Sequence, residues 1–379
     1  MPQIINTNIA SLNAQRNLDA SQRDANVALQ RLSSGLRINS AKDDAAGLAI
    51  STRFESQISG LNVAQRNAND GISLAQTTEG ALDEVVSNLQ RIRELSVQSA
   101  NATNSTSDRE ALDAEVQQRI EEITRIATQT TFNGLKVLDG TFGQETFQVG
   151  ANAGDTITVN LTQGARAADV GSIATANALD VDFTAPKAVD TGDTFTVTVG
   201  TEVQNVTFTG KEESINEVVD TMNSQLEGVF AIVSEAGDSI ELKSPEDLSA
   251  IALGGTNTGT ALAVDDTAAT VDLTVGVDGI DITTVNGSND AIVRIDTALT
   301  AVNGIRSELG AVQNRFESTI ANLSTTSENL SAANSRIRDA DFAAETAELA
   351  RTQVLQQAGL SVLAQANARP QQVLQLLQG

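Results

Sequence analysis

Cysteine, histidine, tryptophan and tyrosine are all absent from the 379 residues. Without cysteine there is no disulfide framework and no thiol chemistry. Without histidine there is no His-based catalytic triad and no zinc site of the usual kind. Positive charge is scarce, with 24 Lys and Arg against 49 Asp and Glu, a formal net charge of −25. That balance argues against nucleic acid and anionic membrane as partners. No run of 18 apolar residues exists, so no transmembrane helix is expected. The opening MPQIINTNIASLNAQ has neither a basic start nor a continuous apolar stretch, so it does not read as a secretory signal peptide. No phosphate-binding loop or dinucleotide fingerprint is present.

What the chain does have is a pair of seven-residue ladders. One runs Phe54, Leu61, Ala68, Ala75, Leu82, Leu89, and the other Ile295, Val302, Leu309, Phe316, Leu323, Leu330, Ile337. A strict seven-residue apolar repeat puts a seam along one side of a helix, as in coiled coils. Two such seams near opposite ends of a chain can pack against each other. The residues expected to pack the subunit in this way are Phe54, Leu61, Leu82, Leu89, Val302, Leu309, Phe316, Leu323 and Leu330. The expected fold class is α+β and multi-domain: a long α-helical coiled-coil rod formed by both chain ends, with an inserted β-rich head. Such a rod suits assembly better than catalysis.

Charge follows the same division. Residues 141–289 hold 23 acidic and 4 basic side chains, a net of −19, which leaves −6 for the two ends. The middle reads as facing solvent and the ends as facing partners, although acidic loops that merely keep a protein soluble give the same pattern. Residues 1–35 read as a helix with no charged side chain before Arg16; from Thr352 to Gly379 the only charge is Arg369. The C-terminal stretch is too polar for a bilayer and too uncharged for an ordinary exposed helix. Alone in water both ends are expected to be largely disordered.

Between the ends, a turn region from Ser33 to Asp44 separates the first helix from the ladder helix, which runs to about Ala100. Asp43 and Asp44 sit where acids favour a helix N-terminus. Ser107-Asp108-Arg109-Glu110 has the form of a capping box opening a third helix. Asn133-Gly134 and Asp139-Gly140 are turn dipeptides, and Phe147–Val149 with Thr156–Leu161 alternate like a hairpin. In the middle, strands are expected at Thr194–Gly200, Gln204–Thr209, Val229–Ser234, Ser239–Leu242, Thr270–Val277 and Ile280–Val285, with a helix at Ser214–Leu226. The closing helix is expected to begin near Ala291.

Candidate chemistry is thin. Acidic pairs such as Asp265-Asp266 and Glu212-Glu213 have the residue types of carboxylate catalysts or calcium ligands, but among so many acids they read as solvated surface. Gly254-Gly255 reads as loop glycine. Arg91, Arg93 and Arg109 lie among glutamates on helices and read as ion-pairing partners worth roughly 0–1 kcal/mol each. No cofactor and no metal is implied.

Particular motifs then narrow the field. Leu32-Ser33-Ser34-Gly35-Leu36-Arg37-Ile38-Asn39-Ser40-Ala41-Lys42-Asp43-Asp44-Ala45-Ala46-Gly47 resembles the N-terminal signature of bacterial flagellin, as do residues 66–72 (RNANDGI) and 76–82 (QTTEGAL). Residues 309–316 (LGAVQNRF), Gln356–Gly359 and Val362–Asn367 resemble its C-terminal helices. The similarity covers roughly residues 1–140 and 290–379, and the segment Thr194–Ser244 resembles a repeat found in flagellin and hook-protein inserts. The resemblance implies a terminal helical domain, 1–43 and 337–379, that forms the core tube of a filament. It implies a helical rod domain with a β-hairpin region, 44–175 and 290–336, and an outer surface-exposed α+β head, 176–289. It implies a structural, non-enzymatic subunit that polymerises with itself for motility and is exported unfolded by the flagellar type III route to an extracellular flagellum. Implied partners are an export chaperone, cap and hook-associated proteins, and a host innate immune receptor. That receptor's contact motif matches residues 90–95 (QRIREL), with Arg91, Leu95 and Glu115 at the positions expected to matter most. The nearest rivals are a hook–filament junction protein and a secreted adhesin or enzyme whose head carries the activity.

Overall fold

The structure is a computed structural model and describes residues 8–181, 193–210, 212, 214–234, 239–246, 248–254, 262–263 and 275–378. The first seven residues of the expected terminal helix, Glu213, the turn 235–238, Gly255, the pair Asp265-Asp266 and residues 270–274 lie outside the described residues. The chain divides into two compact units: Met1–Arg66, Val149–Asp155 and Thr319–Gly379 form one, and Asn67–Gln148 with Thr156–Ser318 form the other.

In the first unit, helix α1 (Ile9–Ser34) pairs with α6 (Phe342–Gln378). Asn8 caps α1, its side-chain oxygen accepting from the Ser11 N–H, and its amide nitrogen donates to Ala366 O at 2.9 Å. Gly35 ends α1 in the left-handed conformation (φ 71°), as a helix C-terminus favours. The loop that follows is clasped to the residues just before α6. The Arg37 N–H donates to Arg338 O at 2.7 Å, and the Ala340 N–H donates to Gly35 O at 2.9 Å. Asp43 gathers this loop by accepting the N–H groups of Asn39 and Ser40, and those bonds hold its carboxyl below the usual range. Asp44 then caps α2 (Ala45–Ser99), accepting the Gly47 N–H at 2.8 Å. Both acids thus sit where the sequence reading put them. Within this unit α2 meets α5 (Val285–Arg338) through a cluster of Leu61, Ala64 and Leu323, with Leu330 against it, and Arg338 pairs with Glu55.

In the second unit the same two helices run antiparallel. Asp83 pairs with Arg306 (2.7 Å), Arg93 with Asp296 (2.7 Å) and Glu79 with Gln313 (2.9 Å). The ladder is buried: Ala68, Ala75, Leu82 and Leu89 on α2, and Ile295, Val302, Leu309 and Phe316 on α5. Three residues on from each of these α2 rungs lies a second buried row, Gly71, Thr78, Val85 and Ile92, which Ser99 continues. Together they complete a heptad seam. Its small members let the helices approach closely. A Cβ added to Gly71 would stand 2.5 Å from Phe316 Cζ. The Phe316 ring is fully buried, with Phe147 edge-on at 5.7 Å, so it has nowhere to swing. Alanine in an exposed helix is worth up to about 1 kcal/mol over glycine, but overpacking costs about 1–3 kcal/mol. Gly71→Ala is therefore expected to lower the denaturant midpoint, while Gly80→Ala, with open space around the new methyl, raises it. Equal shifts of one sign would refute the close packing.

Helix α3 (Thr106–Gln129) buries Val116, Ile120, Ile123 and Ala127. Its capping box lies two residues upstream of the expected one. The Asp108 N–H donates to Ser105 Oγ, and the Ser105 hydroxyl and N–H both donate to Asp108 Oδ2; these last two bonds, the hydroxyl's first, hold the Asp108 carboxyl below the usual range. Next come β1 (Thr131–Phe132) and β2 (Leu135–Lys136) around Asn133-Gly134. Positive φ at both turn residues, 51° and 81°, gives the mirror-image turn that such a dipeptide favours. Strands β3 (Gly143–Gln148) and β4 (Thr156–Leu161) form the expected second hairpin, in unbroken register from Gly143↔Leu161 to Gln148↔Thr156.

The head contains β5 (Ala174–Val181), β6 (Thr194–Val199), β7 (Glu202–Thr207), helix α4 (Ile215–Gln225), β8 (Phe230–Val233), β9 (Ser239–Ser244), β10 (Leu248–Gly254) and β11 (Leu262–Ala263). Two antiparallel sheets result, ordered β10-β6-β7 and β11-β5-β9-β8. Phe195, Val197, Val206 and Phe208 from one, Ala176, Ala231, Ile240 and Leu242 from the other, and Val218 and Met222 of α4 share one core. Two expectations are corrected here. Residues 277–285 are not a strand: Val277–Gly279 is a 3-10 turn and α5 already starts at Val285, six residues before Ala291. Thr284 starts that helix, its hydroxyl accepting the Gly287 N–H at 3.0 Å, and so offsets the poor helix propensity of Asn286, Gly287 and Ser288.

Candidate functional site

The α1–α6 pair is built from an unusual division of side chains. The buried residues of α1 are Ser11, Ala14, Ala25 and Ala28, and those described on α6 are Thr352 and Ala366. Leu18, Leu32, Leu349 and Leu363 are half-buried, but Ile9, Leu12 and Leu29 on α1, and Val354, Leu355, Leu360 and Val362 on α6, point outward and are each 48–65% exposed. Ordinary amphipathic helices do the reverse, burying the large residues and exposing the small. An outward apolar stripe of this size marks a surface completed by other molecules. Bringing each such side chain from half-exposed to buried yields on the order of 1 kcal/mol. On α1 the exposed charges Arg16, Asp19, Arg23 and Asp24 stand between Leu12 and Leu29, whereas on α6 no charge falls between Thr352 and Ala368; Arg31 pairs with Glu345 at 3.7 Å.

The ladder residues named from sequence occupy the interior. Leu61, Leu82, Leu89, Val302, Leu309, Phe316 and Leu323 are buried, and Phe54 and Leu330 are half-buried. They therefore pack the subunit against itself.

A charged face lies where α2 and α3 meet. Arg91 Nε donates to Glu115 Oε1 at 3.0 Å and Arg91 Nη1 to Glu94 Oε2 at 3.0 Å. The Glu115 and Glu94 carboxylates raise the Arg91 guanidinium above its ordinary pKa. Arg93 is raised likewise by Asp296. Arg91 and Glu115 are about 44% and 36% exposed, and an ion pair this open adds little stability. Leu95, by contrast, is 1% exposed and so not part of the accessible face. Arg109 departs from the ion-pair expectation. Its guanidinium donates to the carbonyls of Ser99, Asn101 and Asn104, closing the C-terminus of α2.

A cleft of about 110 Å³ beside Asn160, Thr162, Gly304 and Glu308 is below the size of a small-molecule site. Among the described residues no cluster of three metal-ligating side chains occurs, and no helix is long and apolar enough to cross a membrane. A self-packed helical pair of ladders with an unpaired apolar stripe on its terminal helices defines an assembly subunit.

Comparison with known proteins gives that class its family. The model of the bacterial flagellin N-terminal helical region matches residues 5–143, and that of the C-terminal helical region matches residues 292–377. B-type flagellin of Pseudomonas aeruginosa is 40% identical, covering all of both chains. Flagellin A of Vibrio anguillarum is 43% identical over 99% of both chains, and flagellin E of Vibrio cholerae 42% over all of both. Among solved structures, FliC from Burkholderia pseudomallei aligns at 30% identity over 65% of this chain and 99% of that one, with a TM-score of 0.39. The chain belongs to the bacterial flagellin family. It is a structural protein and not an enzyme: the subunit that polymerises into the flagellar filament. Full-length relatives named flagellin decide against the junction-protein and adhesin readings.

Proposed function

We propose that the outward apolar stripe of α1 and α6 is the polymerising surface, and that in the filament these helices line the core tube. The ladder helices form the layer around it, and the head faces solvent. The single observation that carries this reading is the outward exposure of Ile9, Leu12, Leu29, Val354, Leu355, Leu360 and Val362 while the fully buried positions of α1 and α6 are small residues. The net charge of −19 over residues 141–289 supports an outward, solvated head. A pair whose fully buried positions are small residues recovers little free energy alone, so in the free subunit the terminal segments open, and neighbours restore them. Export in an unfolded state by the flagellar type III route to the cell exterior fits such ends. So do an export chaperone that covers the C-terminal helix and cap and hook-associated proteins that receive the subunit. The exposed Arg91–Glu115 pair is the proposed contact for an innate immune receptor, with the buried Leu95 supporting it.

Limited proteolysis tests the central step. Free subunit is expected to lose roughly its first and last 40 residues, because unpaired tails are cleavage-prone, while assembled filament keeps both. Equal protection of the ends in the two states would remove the proposal.

A further inference from the structure

We propose that the first turns of α5 carry a polar latch that fixes the head's β8–β9 hairpin in one orientation on the helix. Asn286, Asp290 and Arg294 stand four residues apart and so share one helix face. The Asn286 amide donates to Val233 O at the end of β8 at 2.7 Å. Asp290 pairs through Oδ1 with Lys243 Nζ from β9 at 2.7 Å, and through Oδ2 with Arg294 Nε at 2.8 Å. Arg294 in turn donates to Val275 O at 2.6 Å, on the segment that leads from the head back into α5. Glu241 Oε2 lies 3.5 Å from Lys243. The Lys243, Asp290 and Arg294 side chains are only 11%, 14% and 9% exposed, so this is a closed-off charge cluster and not a solvated one.

The chemistry explains the use. Apolar contact is non-directional, and a head seated on it alone can shift without much loss. Desolvated charges tolerate only the arrangement that pairs them, because any other leaves a buried ion uncompensated. Such a cluster adds little net stability but specifies geometry. Asn286, Asp290, Arg294 and Lys243 are thus positioning residues. None of them belongs to the ladder or to the terminal apolar stripe.

Hydrogen exchange on the full-length chain tests the latch, with peptides covering residues 230–244, 285–294 and, as reference, 302–316. Asp290→Asn and Lys243→Met are each expected to speed exchange at least tenfold in the first two peptides, with the reference within twofold of wild type. The double variant is expected to go no faster than the faster single, because the two residues share one interaction. Lys243→Arg, which keeps the charge, is expected to restore most of the protection; a merely space-filling lysine would tolerate methionine as well as arginine. Asn286→Ala, which removes one hydrogen bond and no charge, is expected to speed exchange around β8 alone. The latch is overturned by unchanged exchange in both single charge variants, by additive effects in the double, or by equal acceleration in the reference peptide.

Discussion

Leu309→Asp is expected to remove most of the stability of the helical part. The leucine is 1% exposed on the α5 seam. Substitution forfeits its burial, worth about 2–5 kcal/mol in truncation series, and forces a carboxylate into an apolar site with no cation to meet it. A loss above about 4 kcal/mol is large against a total of roughly 5–15 kcal/mol for a typical domain. The free subunit would melt far below wild type, or the seam would open and filaments would fail. Asn314→Asp, on the exposed side of the same helix, is the control and is expected to stay within about 0.5 kcal/mol. Thermal unfolding of both variants decides the matter. A normal melt for Leu309→Asp would mean that the two ladders do not pack on each other.

The second large effect falls on assembly and leaves the free subunit untouched. Leu355 and Val362 lie seven residues apart on the outward side of α6, 49% and 54% exposed. Changing both to aspartate removes no intrachain contact of weight, so the unfolding midpoint of the monomer is expected to hold within about 0.5 kcal/mol. In a dehydrated interface the two carboxylates would each cost several kcal/mol. With tenfold in an equilibrium constant for every 1.4 kcal/mol, the concentration needed for polymerisation is expected to rise at least a hundredfold. Sedimentation of seeded reactions over a concentration series measures it. Filaments at the wild-type threshold would place the polymerising surface elsewhere.

The parts of this architecture that rest on side-chain type were legible in the sequence. Leu82, Leu89, Val302 and Leu309 announce a seam because each is apolar and seven residues from the next. The row beside them was not visible: Gly71, Thr78 and Ser99 are small or polar, and only the partner helix makes them interior. Phe316 over Gly71 is a shape match that no composition reports. Strands β6 and β7 alternate and were read, whereas β5 (ATANALDV) is rich in alanine and is extended because β9 pairs with it. The capping box was misplaced because Glu110 is the longer acid, yet Asp108 reaches Ser105 with a shorter arm. At the charged face, residue type marked Arg91 only as an ion-pairing arginine; Glu115 came to notice through the family resemblance. The burial of Leu95 was not legible, since it depends on which elements pack around α2. The terminal stripe was legible as a spacing of apolar residues; that the alanines are the inward side required the structure.

Alanine at the α1–α6 seam also decides when growth happens. If α1 and α6 form the polymerising surface as proposed, a lone copy closes its seam with less apolar surface withdrawn from water than a copy seated among neighbours, so a new copy draws much of its ordering free energy from copies already in place. Growth of this kind behaves like crystallisation, with rare births, rapid extension from an existing end, and a sharp threshold below which the pool stays dissolved. A cell that makes such a chain in bulk can hold it as monomer, because the site of construction is chosen by whatever supplies the first ordered end.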